Sequence, residues 1–237
     1  MNTKRTAAII VGVLYIIGTV TGILSVVFTA PSINAPDYLT KVAANENQVT
    51  VGALLVLTMG LALAMVPVML FPILKKINEV LAVGYLVFRG ALEAVLDIIL
   101  VINWFFLITV SREYAAAGTP DASSFQTLGA VFLKSSDSIS AIAGIAFGLG
   151  ALMLYYVFYQ SKLVPRWISI WGVIAILLNL TTCILIIFHL QSPFSTMNSV
   201  MNFPIFLQEM VMAVWLIAKG FNPSAIASVP IKQIQAG

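Results

Sequence analysis

Apolar residues occur along this chain in long runs separated by short polar intervals. Six runs, at residues 7–29, 50–71, 77–110, 129–160, 163–189 and 200–218, have the length of about 20 residues needed to cross a hydrocarbon core of about 30 Å. In lipid every backbone N–H and C=O must be satisfied within the segment, so runs of this kind are helices. The pattern predicts an all-α fold: a polytopic membrane bundle of six transmembrane helices forming a single domain over residues 1–237. An even number of crossings puts both termini on one side. The intervals at 30–48 and 111–127 carry Pro31, Pro36, Gly118 and Pro120 among Ser, Asn and Asp residues, and read as two long outer loops shaped as lids. After Lys219 and Gly220, a helix stop, the segment with Pro223 and Pro230 reads as a short tail.

Composition sharpens this picture. The chain is 60% hydrophobic and only 9% charged, whereas about a quarter of a globular protein's residues are charged. Lys4, Arg5, Lys75, Lys76, Lys162, Arg166, Lys219 and Lys232 fall at the termini and in the two short intervals, against Lys41, Arg112 and Lys134 on the other side. By the positive-inside rule both termini are cytoplasmic. The net charge of +3 is scattered over helix ends and forms no basic face, which argues against nucleic acid as a partner. Lys4 and Arg5 before an apolar run resemble a signal peptide, but the run exceeds an h-region of about 7–15 residues. It is expected to remain as the first span.

Within the runs a few positions stand out. Pro67 and Pro204 each free a backbone carbonyl, which predicts a kink or, more sharply, an unwound binding segment. Gly144 and Gly148 lie on one stripe with Asp137 and Ala141, a spacing that lets a neighbouring helix backbone approach closely. Trp104, Trp167, Trp171 and Trp215 lie towards helix ends, where an aromatic belt is expected.

The candidate chemistry lies in the third run, in Tyr85-Leu-Val-Phe-Arg89-Gly-Ala-Leu-Glu93-Ala-Val-Leu-Asp97. Arg89, Glu93 and Asp97 are four apart and share one helical stripe. At about 1.5 Å of rise per residue they lie near the membrane midplane. Glu209, preceded by Gln208, falls near the middle of the sixth run, and Asp137 in the outer half of the fourth. Charge at such depth is expensive and must face protein or a water-filled cavity. One cation, Arg89, is set against four acids, Glu93, Asp97, Asp137 and Glu209. If all meet in one interior, the excess must be protonated, hydrated or matched by a bound cation. The expected site is a pocket for protons or a small polar or cationic ligand, with His189, Tyr85 and Gln208 as candidate gate or rim residues. The alternative is a clamp in which Arg89 pairs with Glu93 or Glu209 and orders the bundle.

Other chemistry is narrowed by what the chain lacks. Its one histidine, His189, excludes bis-histidine haem and three-histidine zinc within a single chain. Its one cysteine, Cys183, excludes an intramolecular disulfide and a cysteine metal cage. No cofactor and no bound metal are expected.

Gly84-Tyr-Leu-Val-Phe-Arg89 with Glu93, then Leu163-Val-Pro-Arg166-Trp167, then Gln208-Glu209 followed by Val214-Trp215-Leu-Ile-Ala-Lys219-Gly220, resemble a large family of bacterial six-helix integral membrane proteins catalogued as a domain of unknown function. The resemblance covers nearly the whole chain. It implies a multi-pass protein of the bacterial inner membrane in which Arg89, Glu93 and Glu209 match the family's polar positions; it implies no activity. Three functions are therefore weighed from the residues: binding or transport of protons or a small ligand; a non-catalytic accessory, immunity or stress-response role; and an intramembrane hydrolase using paired carboxylates. The last lacks the histidine set, Ser/His pair or double-glutamate motif such enzymes display, and the reading leans against an enzyme.

Overall fold

The computed structural model describes residues 3–117 and 122–227, and all regular structure among them is helical. Six spans are long and apolar enough to cross a membrane. They are α1 (Thr3–Ile33), α3 (Glu46–Leu74), a continuous third span, α6 (Ala122–Ser161), α7 (Arg166–Ile187) and α8 (Thr196–Ala218). The third span consists of α4 (Glu79–Tyr85), a π-helical segment (Leu86–Leu92) and α5 (Glu93–Ala116). Two short helices, α2 (Tyr38–Ala44) and α9 (Pro223–Ala227), complete the set.

The number and order of crossings are those the apolar runs predict, but the two long intervals at 30–48 and 111–127 are mostly helix among the described residues. α1 continues to Ile33, α2 occupies the first interval, and α3 already begins at Glu46. In the second interval α5 runs to Ala116 and α6 starts at Ala122. Polar residues are excluded from hydrocarbon, not from helices, so a span continues beyond the bilayer once its backbone ladder is established. Glu46 and Arg112 then form an ion pair between the extended ends of α3 and α5. Gly118 and Pro120, with Pro230 and Lys232 of the tail, lie outside the described residues.

Neighbours in the chain are neighbours in space. α1 packs on α3, α3 on the third span, that span on α6, α6 on α7, α7 on α8, and α8 returns to α1. The six spans thus close a ring, and side chains from all sides meet within it. One apolar core joins Val66, Leu70 and Tyr85 to Leu154, Phe158 and Met212. A second joins Val49, Val56, Leu100 and Leu107 under α2. On α3 the two are separated at Gly60, and on the third span by Arg89, Glu93 and Asp97. The polar layer is where the two cores part.

Neither proline unwinds its helix: α3 runs through Pro67 and α8 through Pro204. The departure from α geometry is at Leu86–Leu92 instead, and Gly90 there lies against Pro67, whose Cγ would be 3.1 Å from an added Cβ. The Gly144/Gly148 stripe packs as expected, since a Cβ at either would collide with Cys183 or Leu180 of α7. Trp104 departs from the belt expectation: it is buried and its indole N–H donates to Ser136 Oγ at 3.1 Å. An indole on an inward helical face needs an interior acceptor, and Ser136 supplies it. Trp167 is exposed and stacks on Trp171 with ring centroids 6.2 Å apart.

Candidate functional site

The site begins with the π-helical segment, because Arg89 sits in it. A π turn inserts an extra residue into the ladder and re-aims the side chains that follow; such segments concentrate at functional positions. Here it turns Arg89 into the ring interior, where the residue is 3% exposed. Backbone approaches backbone at this level: a Cβ on Gly150 of α6 would lie 3.0 Å from the Arg89 amide nitrogen.

The guanidinium bridges two helices. Its Nη1 donates to Glu93 Oε1 at 2.6 Å, one turn on along the same span, and its Nη2 to Glu209 Oε1 on α8 at 3.4 Å. The Phe147 ring covers its face, with the centroid 4.2 Å from Cζ, a cation–π contact strengthened by exclusion of water. Three fully buried tyrosines, Tyr15, Tyr85 and Tyr155, stand within electrostatic reach of Arg89 and Glu209. The hydroxyls of Tyr15 and Tyr85 are hydrogen-bonded to each other at 3.2 Å. Tyr155 donates to Gln208 Oε1 at 2.7 Å, while Gln208 Nε2 donates to the Ile168 carbonyl at 3.1 Å. Five helical elements therefore hold the cluster: α1, the third span, α6, α7 and α8.

The carboxylates are less well supplied. Glu93 Oε2 and Asp97 Oδ2 are both buried without a hydrogen-bond partner among the described residues. Asp97 lies against Gly60 of α3, where an added Cβ would be 2.7 Å from Oδ2. Unmet acceptors at this depth are the feature that buried polar networks normally avoid. An incoming proton or a small cation would satisfy them.

A family model described as Domain of unknown function (DUF4386) matches residues 10–220. The chain belongs to this family. The matched segment takes in all of Arg89, Glu93, Asp97, Asp137 and Glu209. No curated protein and no solved structure matches the chain.

In this DUF4386 chain the acids divide. Glu93 and Glu209 meet on Arg89, and Asp97 is one turn beyond Glu93 on the same stripe. Asp137 does not join them: it is 13 residues from Gly150, the α6 position beside Arg89, or about 20 Å along the helix. It is half-buried in the N-terminal half of α6, within electrostatic reach of His189. The local balance is therefore one cation against two acids, with Asp97 a third, rather than one against four. His189 is exposed just past α7, in the left-handed conformation with φ 56°. Tyr85 and Gln208, expected at a gate or rim, are fully buried beside the charges instead. Both sit on helix faces that point into the ring, a direction the π turn sets for Tyr85's neighbours and the spacing from Met212 sets for Gln208.

Sequence reasoning missed Tyr15, Tyr155 and Phe147, because an aromatic in an apolar run looks like packing. It also missed an amide ladder on α7 and α8. Asn202 Nδ2 donates to Asn198 Oδ1 at 2.8 Å and to Thr182 Oγ1 at 3.3 Å, and Asn179 Nδ2 donates to Asn202 Oδ1 at 2.8 Å. Ser195, Asn198, Asn202 and Glu209 follow one another at steps of three, four and seven, one stripe of α8. That spacing was the available signal. Among the described residues no group of three or more His, Cys, Asp or Glu is arranged to hold a metal ion.

Proposed function

We propose that this is a bacterial inner-membrane protein, with both termini cytoplasmic, that binds and passes protons or a small cation at Glu93, Asp97 and Glu209. The observation that carries the reading is the pair of buried, unpartnered oxygens, Glu93 Oε2 and Asp97 Oδ2, beside an Arg89 already engaged by two carboxylates. Protonation or cation binding there redistributes Arg89 between Glu93 and Glu209, a two-state pairing of the kind that intramembrane relays use. The stripe Ser195, Asn198, Asn202 supports access to Glu209 from the outer side. The Lys and Arg distribution supports the orientation.

A second reading is favoured by one observation of its own. The Arg89–Glu209 contact ties the third span to α8, which is not its neighbour in the ring, so the cluster also suits a structural clamp. Reconstitution separates the two. Liposomes carrying the protein and an entrapped pH-sensitive dye should dissipate an imposed pH gradient well above the rate of empty vesicles, and Glu93→Gln should abolish this in protein that still elutes as a single folded species with wild-type helical content. Folded wild-type protein without proton or monovalent-cation flux at any pH tested would reduce the cluster to a clamp.

A further inference from the structure

Two of the segments that carry the family resemblance, Leu163 to Trp167 and Val214 to Gly220, take no part in the charge cluster. In the structure they meet. The Asn222 N–H donates to the Leu163 carbonyl at 2.9 Å and its Nδ2 to the Lys162 carbonyl at 3.3 Å, binding the α6–α7 turn to the end of α8. Between them lies a groove of about 480 Å³. Its floor is apolar, with Leu163 and Phe221 buried and Trp215 along one wall, and its rim carries Lys162, Arg166 and Lys219. Among the described residues no carboxylate lines it.

Among the described residues Lys162 and Lys219 form no ion pair, and Arg166 is only partly engaged. The C-terminal carbonyls of α8 are capped by Arg5, which donates to those of Leu216, Ile217 and Ala218, so Lys219 is not needed there. Gly220, with φ 73°, makes this arrangement fit, since an added Cβ would lie 2.9 Å from Arg5 Nη1. Arg166 is positioned by its Nε, which donates to the Tyr159 carbonyl at 3.3 Å, and by the Tyr159 ring 4.9 Å from Cζ; its Nη groups form none of the described hydrogen bonds. The exposed Trp167, stacked on Trp171, sits beside the groove, and amphipathic indoles of this kind mark headgroup depth.

We infer that this groove is a binding site for the phosphodiester headgroup of an anionic phospholipid. Three cations lining one groove select net negative charge, which a zwitterionic headgroup does not offer. The apolar floor and the tryptophans continue the site towards the acyl region, which a free phosphate would leave unused.

The test uses the full-length protein in detergent, titrated with phosphatidylglycerol or phosphatidylcholine and read by native mass spectrometry. Phosphatidylglycerol should be retained in preference, and Lys162→Gln with Lys219→Gln should weaken its retention about thirtyfold, from about 1 kcal/mol per basic group near an anionic headgroup. Arg166→Gln alone should weaken it about fivefold on the same basis. Lys75→Gln with Lys76→Gln, an equal loss of charge at the other basic turn, should leave it unchanged, and Lys162→Arg with Lys219→Arg should preserve it. Equal retention of the two lipids overturns the site. So does wild-type retention in either the Lys162/Lys219 or the Arg166 glutamine variant, the single substitution serving if the double one does not fold. Displacement by soluble glycerol phosphate at the same concentration as lipid would overturn the lipid assignment in favour of a free phosphoryl anion.

Discussion

Two of the Arg–Glu contacts among the described residues share the same chemistry in opposite settings. Arg112 near the end of α5 and Glu46 at the start of α3 form a pair with the arginine side chain 63% exposed; Arg89 and Glu93 pair where the arginine is 3% exposed. The first can be lost with little consequence, because water replaces each partner. The second cannot, because its charges have no solvent to return to. A protein that needed only to fasten helices would do as well with packed apolar side chains in the interior, so the buried pair points to a use for its charge. The largest effect expected follows from this contrast. Arg89→Gln should destabilise the protein by about 3–5 kcal/mol, as removal of one partner strands Glu93 and Glu209; Arg112→Gln should change stability by less than about 1 kcal/mol. Denaturant unfolding in mixed micelles measures both, and similar values for the two would erase the distinction.

The next effect sharpens why the buried pair has its geometry. Gly150 lets α6 come up against the π-helical segment at Arg89, and the nearest atoms to an added Cβ belong to Arg89's Cβ and backbone nitrogen, both at 3.0 Å. These atoms cannot rotate aside as the end of a flexible side chain would. Gly150→Ala should therefore cost about 1–3 kcal/mol by overpacking and lower any flux through the cluster together with stability. At the exposed pair no such close approach holds the arginine.

The spans were legible because length and apolarity alone decide them. Arg89, Glu93 and Glu209 were legible because four-residue spacing and depth are properties of one helix at a time. What was hidden depends on the register between helices. Asp137, expected in the outer half of the fourth run, was counted with Asp97 among the acids that could share one interior, yet the alignment of α6 with the third span, fixed at Gly150 and Arg89, carries it towards His189. Trp104 and Trp167 look alike in sequence, and only packing puts one on Ser136 and leaves the other exposed. The outer intervals were misread for a related reason: proline, serine and asparagine report the end of hydrocarbon, while the helix ends only where its hydrogen bonds find other partners.

The smallest effect separates a sealed cluster from a hydrated one. A double-mutant cycle on Glu46 and Arg112 should give a coupling below about 1 kcal/mol that fades as salt is raised, because exposed charges are screened over a Debye length of about 10 Å at 0.1 M. The same cycle on Arg89 and Glu209 should give about 1–3 kcal/mol. Its salt dependence is the informative part, since Glu209 is 12% exposed at the foot of the Ser195–Asn198–Asn202 stripe. If ions reach Glu209 along that stripe, the Arg89–Glu209 coupling should weaken with salt while the Arg89–Glu93 coupling stays constant. Equal insensitivity of both would mean that the amide ladder is dry.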